Sequence, residues 1–371
     1  MGTYERAYPR NRVLIEGLRA RGVVVREHHR PVWEGTEHKS RLGPRALAGM
    51  AGRAGAGWAG LAGEVARAGP VDVVVAGYPA QPDAVPGWMV ARARRAVFVA
   101  DMMISLADTL GGDRAVAGRR LARLLAGVDR TALRLADLVL CDTRADAEFF
   151  HRRFSVPRAR LVVAAVGAEP SLFPAVPRAE VADPPHVLFY GKLSPLHGLE
   201  TVLEAARVPG VPPVHIVGDG QMGPWLAQQI ADDRPPGLEW ERWVPYPRLA
   251  GRIAGAAVCL GVFGRSQKAA RVVPNKVWQA MAVGRPVVTA DTPGVREVLV
   301  QGESALLVPP GDARALAGAL RLLGGDADLR ARLGAGAREA YERQGAPAAA
   351  AAPLHEALLA AVAGRRTGRR R

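Results

Sequence analysis

Lysine is scarce in this 371-residue chain, and its placement is the first chemical signal. Of 50 basic residues only Lys39, Lys192, Lys268 and Lys276 are lysine; the rest are arginine. Lys192 stands just after the apolar run Val187–Tyr190, and Lys268 lies in the loop after Val258–Val262. Lys276 belongs to Val273-Pro274-Asn275-Lys276-Val277, where proline opens a helix whose first N–H groups face outward. A cation beside a helix start, with Asn275 in the same turn, has the makings of a diphosphate site. The plainer alternative is three lysines on solvated turns.

Two further groups could do chemistry. Gly218-Asp219-Gly220-Gln221-Met222-Gly223 follows an apolar run and fits the dinucleotide fingerprint, with Glu239 about twenty residues on as a ribose partner. It follows the second run of its half rather than the first, however, and Pro224 comes directly after it. A tight turn entering a helix accounts for the glycines without a cofactor. Asp101 closes the run Ala96–Ala100, with Asp108 close behind. A carboxylate at the C-terminal end of a parallel strand points into the ligand crevice. A helix N-cap is the competing role. Gly77-Tyr78-Pro79 ends another run and could line the same crevice, whereas His28 and His29 read as a surface pair.

The composition must supply a scaffold for these groups. With 49% hydrophobic and 23% charged residues the chain can bury one or two cores, which excludes a disordered tail, a collagen repeat and a disulfide scaffold. The two cysteines, Cys141 and Cys259, lie in apolar runs and read as buried thiols; no zinc spacing exists. No uninterrupted apolar run approaches a bilayer span and no signal-peptide core opens the chain, so a cytoplasmic location is expected. The net charge is +15, and residues 1–172 carry 26 basic against 17 acidic residues. A basic first half suits an anionic membrane face, a phosphorylated acceptor or RNA. Nucleic acid is not expected, because no RNP-type aromatic motif, zinc knuckle or recognition helix accompanies the charge.

Apolar runs alternate with Ala/Leu/Arg helical stretches almost throughout. In the first half the candidate strands are Val23–Val25, Val71–Ala76, Ala96–Ala100, Leu138–Cys141 and Leu161–Ala165. The second half offers Val187–Tyr190, Val214–Val217, Leu238–Val244, Val258–Val262, Pro286–Thr289 and Ala305–Val308. Runs that are apolar throughout belong to strands buried on both faces of a parallel sheet. The pattern predicts an α/β chain of two Rossmann-like doubly wound domains, residues 1–172 and 186–346. A proline-rich linker (173–185), a final helix (347–363) and a basic tail (364–371) complete it. Arg41–Ala68 stands apart. Its Leu, Met and Trp recur at helical intervals, giving either an ordinary surface helix or an interfacial segment with Trp and Leu toward lipid.

Tyr190-Gly191-Lys192-Leu193-Ser194-Pro195-Leu196-His197-Gly198-Leu199 resembles the donor-phosphate loop of family-four retaining glycosyltransferases of the GT-B fold. Asp137-Leu138-Val139-Leu140-Cys141-Asp142-Thr143 and Val166-Gly167-Ala168-Glu169-Pro170-Ser171-Leu172-Phe173 resemble the end of that family's acceptor domain. Trp278-Gln279-Ala280-Met281-Ala282-Val283-Gly284-Arg285-Pro286-Val287-Val288 resembles its ribose-binding helix and the next strand. The likeness covers roughly Leu135 to Tyr341. It implies two domains facing each other across a cleft, and transfer of a sugar with retention from a nucleotide-sugar to a hydroxyl on a glycan, glycolipid or small molecule. It implies donor contacts at Gly2, Lys192, His197, Gly218, Lys268, Asn275, Lys276 and Gln279, with Asp101 and Lys192 in the chemistry. No metal and no cofactor beyond the donor are called for, and the acceptor could be a sugar or lipid-linked.

Two departures matter. The family usually has lysine where His197 stands, and a pair of glutamates where Arg271 and Gln279 stand. Gln279 can bond ribose hydroxyls without charge assistance, but Arg271 cannot imitate a carboxylate. The alternatives are therefore a non-catalytic sugar-nucleotide-binding relative and a sugar-nucleotide epimerase, the latter poorly supplied with acid/base pairs. Lastly, Gly2-Thr3-Tyr4-Glu5-Arg6 looks like the loop that follows a central first strand, yet only Met1 precedes it. The expectation is a chain that begins downstream of its natural start, unless another segment fills the gap.

Overall fold

A computed structural model describes residues 1–32, 44–113, 118–176 and 185–368. They form two compact units, residues 1–165 with 350–371 and residues 166–349. Most of the expected linker (177–184), the end of the basic tail (369–371) and Arg41 to Gly43 lie outside the described residues.

Unit 1 opens with helices α1 (Pro9–Ala20) and α2 (Pro44–Arg67). There follow β1 (Val73–Ala76), α3 (Ala84–Arg94), β2 (Val97–Asp101), α4 (Arg119–Leu135), β3 (Leu138–Cys141), α5 (Arg144–Phe154) and β4 (Leu161–Val163). The four strands pair in parallel in the order β1-β2-β3-β4. Alternation along the strands splits their side chains between two cores, which explains why the runs are apolar throughout. Val97, Val99, Leu138 and Leu140 face α1 and the C-terminal helix Pro347–Gly368. Phe98, Ala100, Val139 and Cys141 face the opposite layer, which includes Ala91 of α3, Leu133 of α4 and Phe150 of α5. The final helix thus belongs to unit 1. Among the described residues the stretch Ala327–Thr367 holds a window long and apolar enough by composition to cross a bilayer, but Ala351, Leu354 and Leu358 of the final helix are buried in this core.

Three expectations need correction here. First, Val23–Val25, expected as a strand, is not among the four strands of unit 1, which follow one another in chain order. Residues 1 and 2 lie beside the free edge of β1: the Met1 nitrogen donates to the Val75 carbonyl at 2.7 Å, and Gly2 bridges His29 in parallel. A cavity of about 430 Å³ adjoins them, with Leu14, Val23, Val25, Val73 and Leu358 in its walls. Second, the described apolar side chains near the end of α2 pack within unit 1: Leu61 and Val65 are buried, and Trp58 donates to Asp83 at 3.0 Å. Third, Asp101 does not stand open at a strand end.

Asp101 is 1% exposed, and both its oxygens accept from Nε of the fully buried Arg10, at 2.8 and 2.7 Å. The same guanidinium donates to the carbonyls of Ala164 (2.8 Å) and Cys141 (3.3 Å), so Arg10 ties α1 to the ends of three neighbouring strands. The neighbouring carboxylates hold Arg10 charged against the desolvation that opposes it. Removing one member of a buried pair leaves the other charge uncompensated, which is among the most damaging single changes. Arg10→Met is therefore expected to destabilise unit 1 by about 3–5 kcal/mol in denaturant unfolding. A loss below about 1 kcal/mol would show that the pair is not what fastens α1.

Unit 2 is doubly wound. Its strands are β5 (Val187–Tyr190), β6 (Val214–Val217), β7 (Leu238–Glu241), β8 (Val258–Leu260), β9 (Val287–Ala290) and β10 (Ala305–Val308). All pair in parallel, in the order β10-β9-β8-β5-β6-β7. Helices α6 (Leu199–Ala206), α7 (Gly223–Asp232), α8 (Tyr246–Gly255), α9 (Asn275–Val283), α10 (Ala313–Gly325) and α11 (Ala327–Gln344) follow or connect them. The order reverses between β5 and β8, and a sheet of this kind offers its ligand crevice beyond the C-terminal ends of those two strands. Residues 166–173, whose likeness pointed to the end of the first domain, fall in unit 2.

Candidate functional site

The loop leaving β5 is held by glycines on both sides of it. Gly191 adopts φ 114°, and its N–H donates to the Val217 carbonyl at 2.9 Å. A Cβ on Gly218 would lie 2.0 Å from the Gly191 carbonyl oxygen, and one on Gly220 would lie 2.5 Å from that of Leu193. Leu193 in turn donates to Asp219 and accepts from Met222, each at 3.0 Å. The glycines of the fingerprint-like segment therefore let two backbones touch. That is a packing role, and it removes the argument for a dinucleotide there. Gly218 thus positions Gly191.

On the other side, the turn Pro195–His197 ends in Gly198 at φ 63°, where a Cβ would meet the Phe263 carbonyl carbon at 2.5 Å. Phe263 donates its N–H to the His197 carbonyl at 3.0 Å, which fastens the β5 loop to the segment after β8. His197 is buried and stands edge-on to Phe189 at 6.1 Å between ring centroids. Both loops at the switch point are thus braced by backbone contacts.

Helix α9 places the decisive group. Pro274 occupies its N-cap in extended conformation, and Gly284 ends it in the left-handed conformation with hydrogen bonds back to Ala280 and Met281. The Lys276 side chain, on the first turn, is 5% exposed, and its Nζ lies 3.8 Å from the Phe189 ring centroid. Among the described residues nothing hydrogen-bonds to that Nζ. Burial holds its pKa well below the usual lysine value. The Lys276 backbone carbonyl accepts from the buried Tyr190 hydroxyl at 2.6 Å, so the end of β5 and the start of α9 are pinned together. A Cβ on Gly191 would sit 3.6 Å from Lys276 Cε. Lys276, on the first turn of α9, thus reaches to the β5 strand and the loop that leaves it.

Gln279 lies one turn further along α9 and is buried. Its Nε2 donates to the Tyr246 hydroxyl at 3.1 Å, and that hydroxyl meets Glu169 Oε2 at 3.4 Å. Tyr246 also stands edge-on to Phe173, with centroids 5.5 Å apart. A buried carboxylate is thus linked to Gln279 through one hydroxyl. Lys268 and Arg271 occupy a turn in which Arg271 N–H donates to the Lys268 carbonyl at 3.0 Å. That turn rests on Gly294, where a Cβ would lie 2.4 Å from the Arg271 carbonyl oxygen.

The structure groups Lys276, Gly191, Phe189 and His197, with Gln279 further along α9. Lys192 is exposed on the same β5 loop, and Asn275 begins α9. Gly2 and Asp101 belong to unit 1. There Gly2 (φ 134°) presses on Asp83, whose carboxylate accepts from Thr3 N at 2.8 Å and Thr3 Oγ1 at 2.9 Å. Burial pushes the Asp83 carboxyl up to about 6 despite those bonds. Sequence reasoning missed Phe189, Tyr246 and Asp83, and it read Glu169 only as part of a motif. Phe189 is one apolar residue in a buried strand, and nothing local marks it as the ring beneath a lysine.

Residues 184–326 match the family model described as glycosyl transferases group 1. An amylovoran biosynthesis glycosyltransferase of Erwinia amylovora, AmsK, is 29% identical over 180 residues, covering 47% of this chain and 44% of that protein. The lipopolysaccharide core biosynthesis glycosyltransferase LpsE of Rhizobium meliloti is 32% identical over 164 residues, 43% of this chain and 46% of its own. The chain thus spans about half the length of the curated relatives it matches. Among solved structures, sucrose-phosphate synthase from Thermosynechococcus elongatus aligns with a TM-score of 0.70 at 20% identity, over 95% of this chain and 92% of that one. Anabaena HepE in complex with UDP-glucose aligns at 0.63 and 19% identity, over 92% and 88%. The fold is GT-B-like.

The glycine packing has a measurable consequence. In Gly218→Ala the new methyl must displace the Gly191 carbonyl, and the backbone must hold a positive φ that L residues avoid. A stability loss of about 1–3 kcal/mol is expected in denaturant unfolding. An unchanged midpoint would show that the two loops are not in register as described.

Proposed function

We propose that unit 2 binds the diphosphate of a nucleotide-sugar and that the protein transfers the sugar to an acceptor hydroxyl with retention of configuration. The observation that carries this reading is the Lys276 ammonium, buried at a helix start with no hydrogen-bond acceptor among the described residues. A buried cation without a partner costs free energy, and an oxyanion arriving beside it and the helix N–H groups would offset that cost. The match of residues 184–326 to a glycosyltransferase family supports the reading, as do the structural neighbours solved with UDP and UDP-glucose.

In the proposed step the bond from the anomeric carbon to the phosphate oxygen breaks while a bond to the acceptor oxygen forms on the same face. The acceptor proton passes to the departing phosphate. Lys276, Lys192 and the first amides of α9 would stabilise the negative charge growing on the leaving diphosphate, which is electrostatic catalysis by groups already in place. Neither a metal nor a cofactor is part of this step. Gln279, aligned through Tyr246, would bond the ribose hydroxyls. Asp101, committed to Arg10, drops out of the acceptor role and acts through the scaffold.

The test is binding. Lys276→Met should weaken UDP or GDP binding by about 1.5–3 kcal/mol in calorimetry, the worth of a charged hydrogen bond. Binding of the corresponding nucleoside should change little. Unchanged diphosphate affinity in a folded variant would remove the assigned site. Donor binding without turnover on any hydroxyl acceptor would favour the non-catalytic alternative that the Arg271 and Gln279 departures raise.

A further inference from the structure

Helices α3 and α4 pack against each other on one face of the unit 1 sheet, and their outer sides do not resemble an ordinary soluble surface. Of the ten large hydrophobic side chains exposed among the described residues, five lie on these two helices: Val85, Met89, Leu121, Leu124 and Val128. Met89 is 59% and Leu124 67% exposed. Spacings of three and four residues within each helix bring them into stripes. Scattered apolar residues on a surface need no explanation, but a cluster on adjacent helices does.

The exposed charges on the two helices themselves have one sign. Arg92 on α3, Arg95 at its end, and Arg120, Arg123 and Arg134 on α4 are exposed. Helix α3 contains no acid. The one acid of α4, Asp129, is buried and receives Ser105 Oγ, Gln81 Nε2 and the N–H groups of Leu106 and Ala107. At one end of the face, a cavity of about 470 Å³ is lined by Arg92, Arg134, Arg160, Trp88 and Asp137. Asp137 is already engaged by Phe98 N–H and by Arg365.

We propose that this face docks on an anionic lipid bilayer, with the leucine, methionine and valine side chains entering the headgroup boundary and the arginines meeting lipid phosphates. Apolar side chains flanked by arginine, with no exposed acid on either helix, fit a lipid surface better than a polar protein partner. The surface is thus assigned to α3 and α4; in the Arg41–Ala68 segment the described Leu61 and Val65 are buried.

The experiment is vesicle flotation with the full chain. Vesicles are phosphatidylcholine alone or with roughly a third phosphatidylglycerol, at low and high salt. Binding should require phosphatidylglycerol and fall steeply with salt. Leu121→Ser with Leu124→Ser, and separately Arg120→Glu with Arg123→Glu, should each lower binding about tenfold or more while leaving the circular dichroism spectrum and melting temperature unchanged. Inorganic phosphate at matched ionic strength should not displace the protein; displacement would mean that the arginines read a free anion and not a bilayer. Equal binding by both variants, or indifference to phosphatidylglycerol, would overturn the assignment. So would a lipid-free dimer in sedimentation that the leucine variant dissolves, because the face would then join two copies of the chain.

Discussion

A lysine buried against an aromatic ring, with no hydrogen-bond acceptor among the described residues, is expensive to hold charged, and the architecture of unit 2 keeps one in place. The attraction between Lys276 and the Phe189 ring is a partial compensation, worth a kcal/mol or two when desolvated. The rest of the cost would be offset by the anion of the proposed diphosphate site. Everything around Lys276 serves to fix it. Tyr190 bonds its backbone carbonyl, Pro274 sets the start of its helix, and Gly191 leaves room beside its Cε. A flexible lysine on a solvated loop would carry the same charge but would lose more rotamer freedom on binding.

The topology explains why these parts meet. Strand β5 is central, so the loop leaving it is flanked by the loops leaving β6 and β8. Both neighbours touch it through backbone atoms: Gly218 and Gly220 on one side, Gly198 against Phe263 on the other. Side chains at those three positions would force the loops apart. In unit 1 a comparable fastening is ionic. Arg10 gathers Asp101 and two carbonyls at the ends of neighbouring strands.

The strands were legible because a strand buried on both faces is apolar throughout: Leu138–Cys141, Val187–Tyr190, Val214–Val217 and Ala305–Val308 begin and end as the sequence pattern indicates. Val23–Val25 has the same apolar character and stays outside the sheet, since composition cannot say whether a neighbour exists to pair with. Lys276 was legible for a different reason. In a chain that writes its cations as arginine, a lysine after proline at a helix start stands out. Asp101 was misread because its partner, Arg10, lies 91 residues earlier. The Trp and Leu residues of α2 were equally ambiguous, since an amphipathic stripe looks the same whether lipid or protein covers it. Phe189 and Tyr246 acquire their roles only through tertiary contacts, and no local spacing announces them.

The central claim is that Lys276 is an anion receptor whose proton is weakly held until the diphosphate binds. Its burial lowers its pKa, and a bound phosphate would raise it again, so binding should draw a proton from solution. Calorimetry of UDP binding over a pH series from about 7 up to the ordinary lysine range, in buffers of different ionisation enthalpy, measures that proton directly, because the nucleotide's own phosphate is already ionised there. The account predicts net proton uptake by the unaltered protein, and none by Lys276→Met in what binding remains. Binding with no proton uptake by the unaltered protein would contradict it.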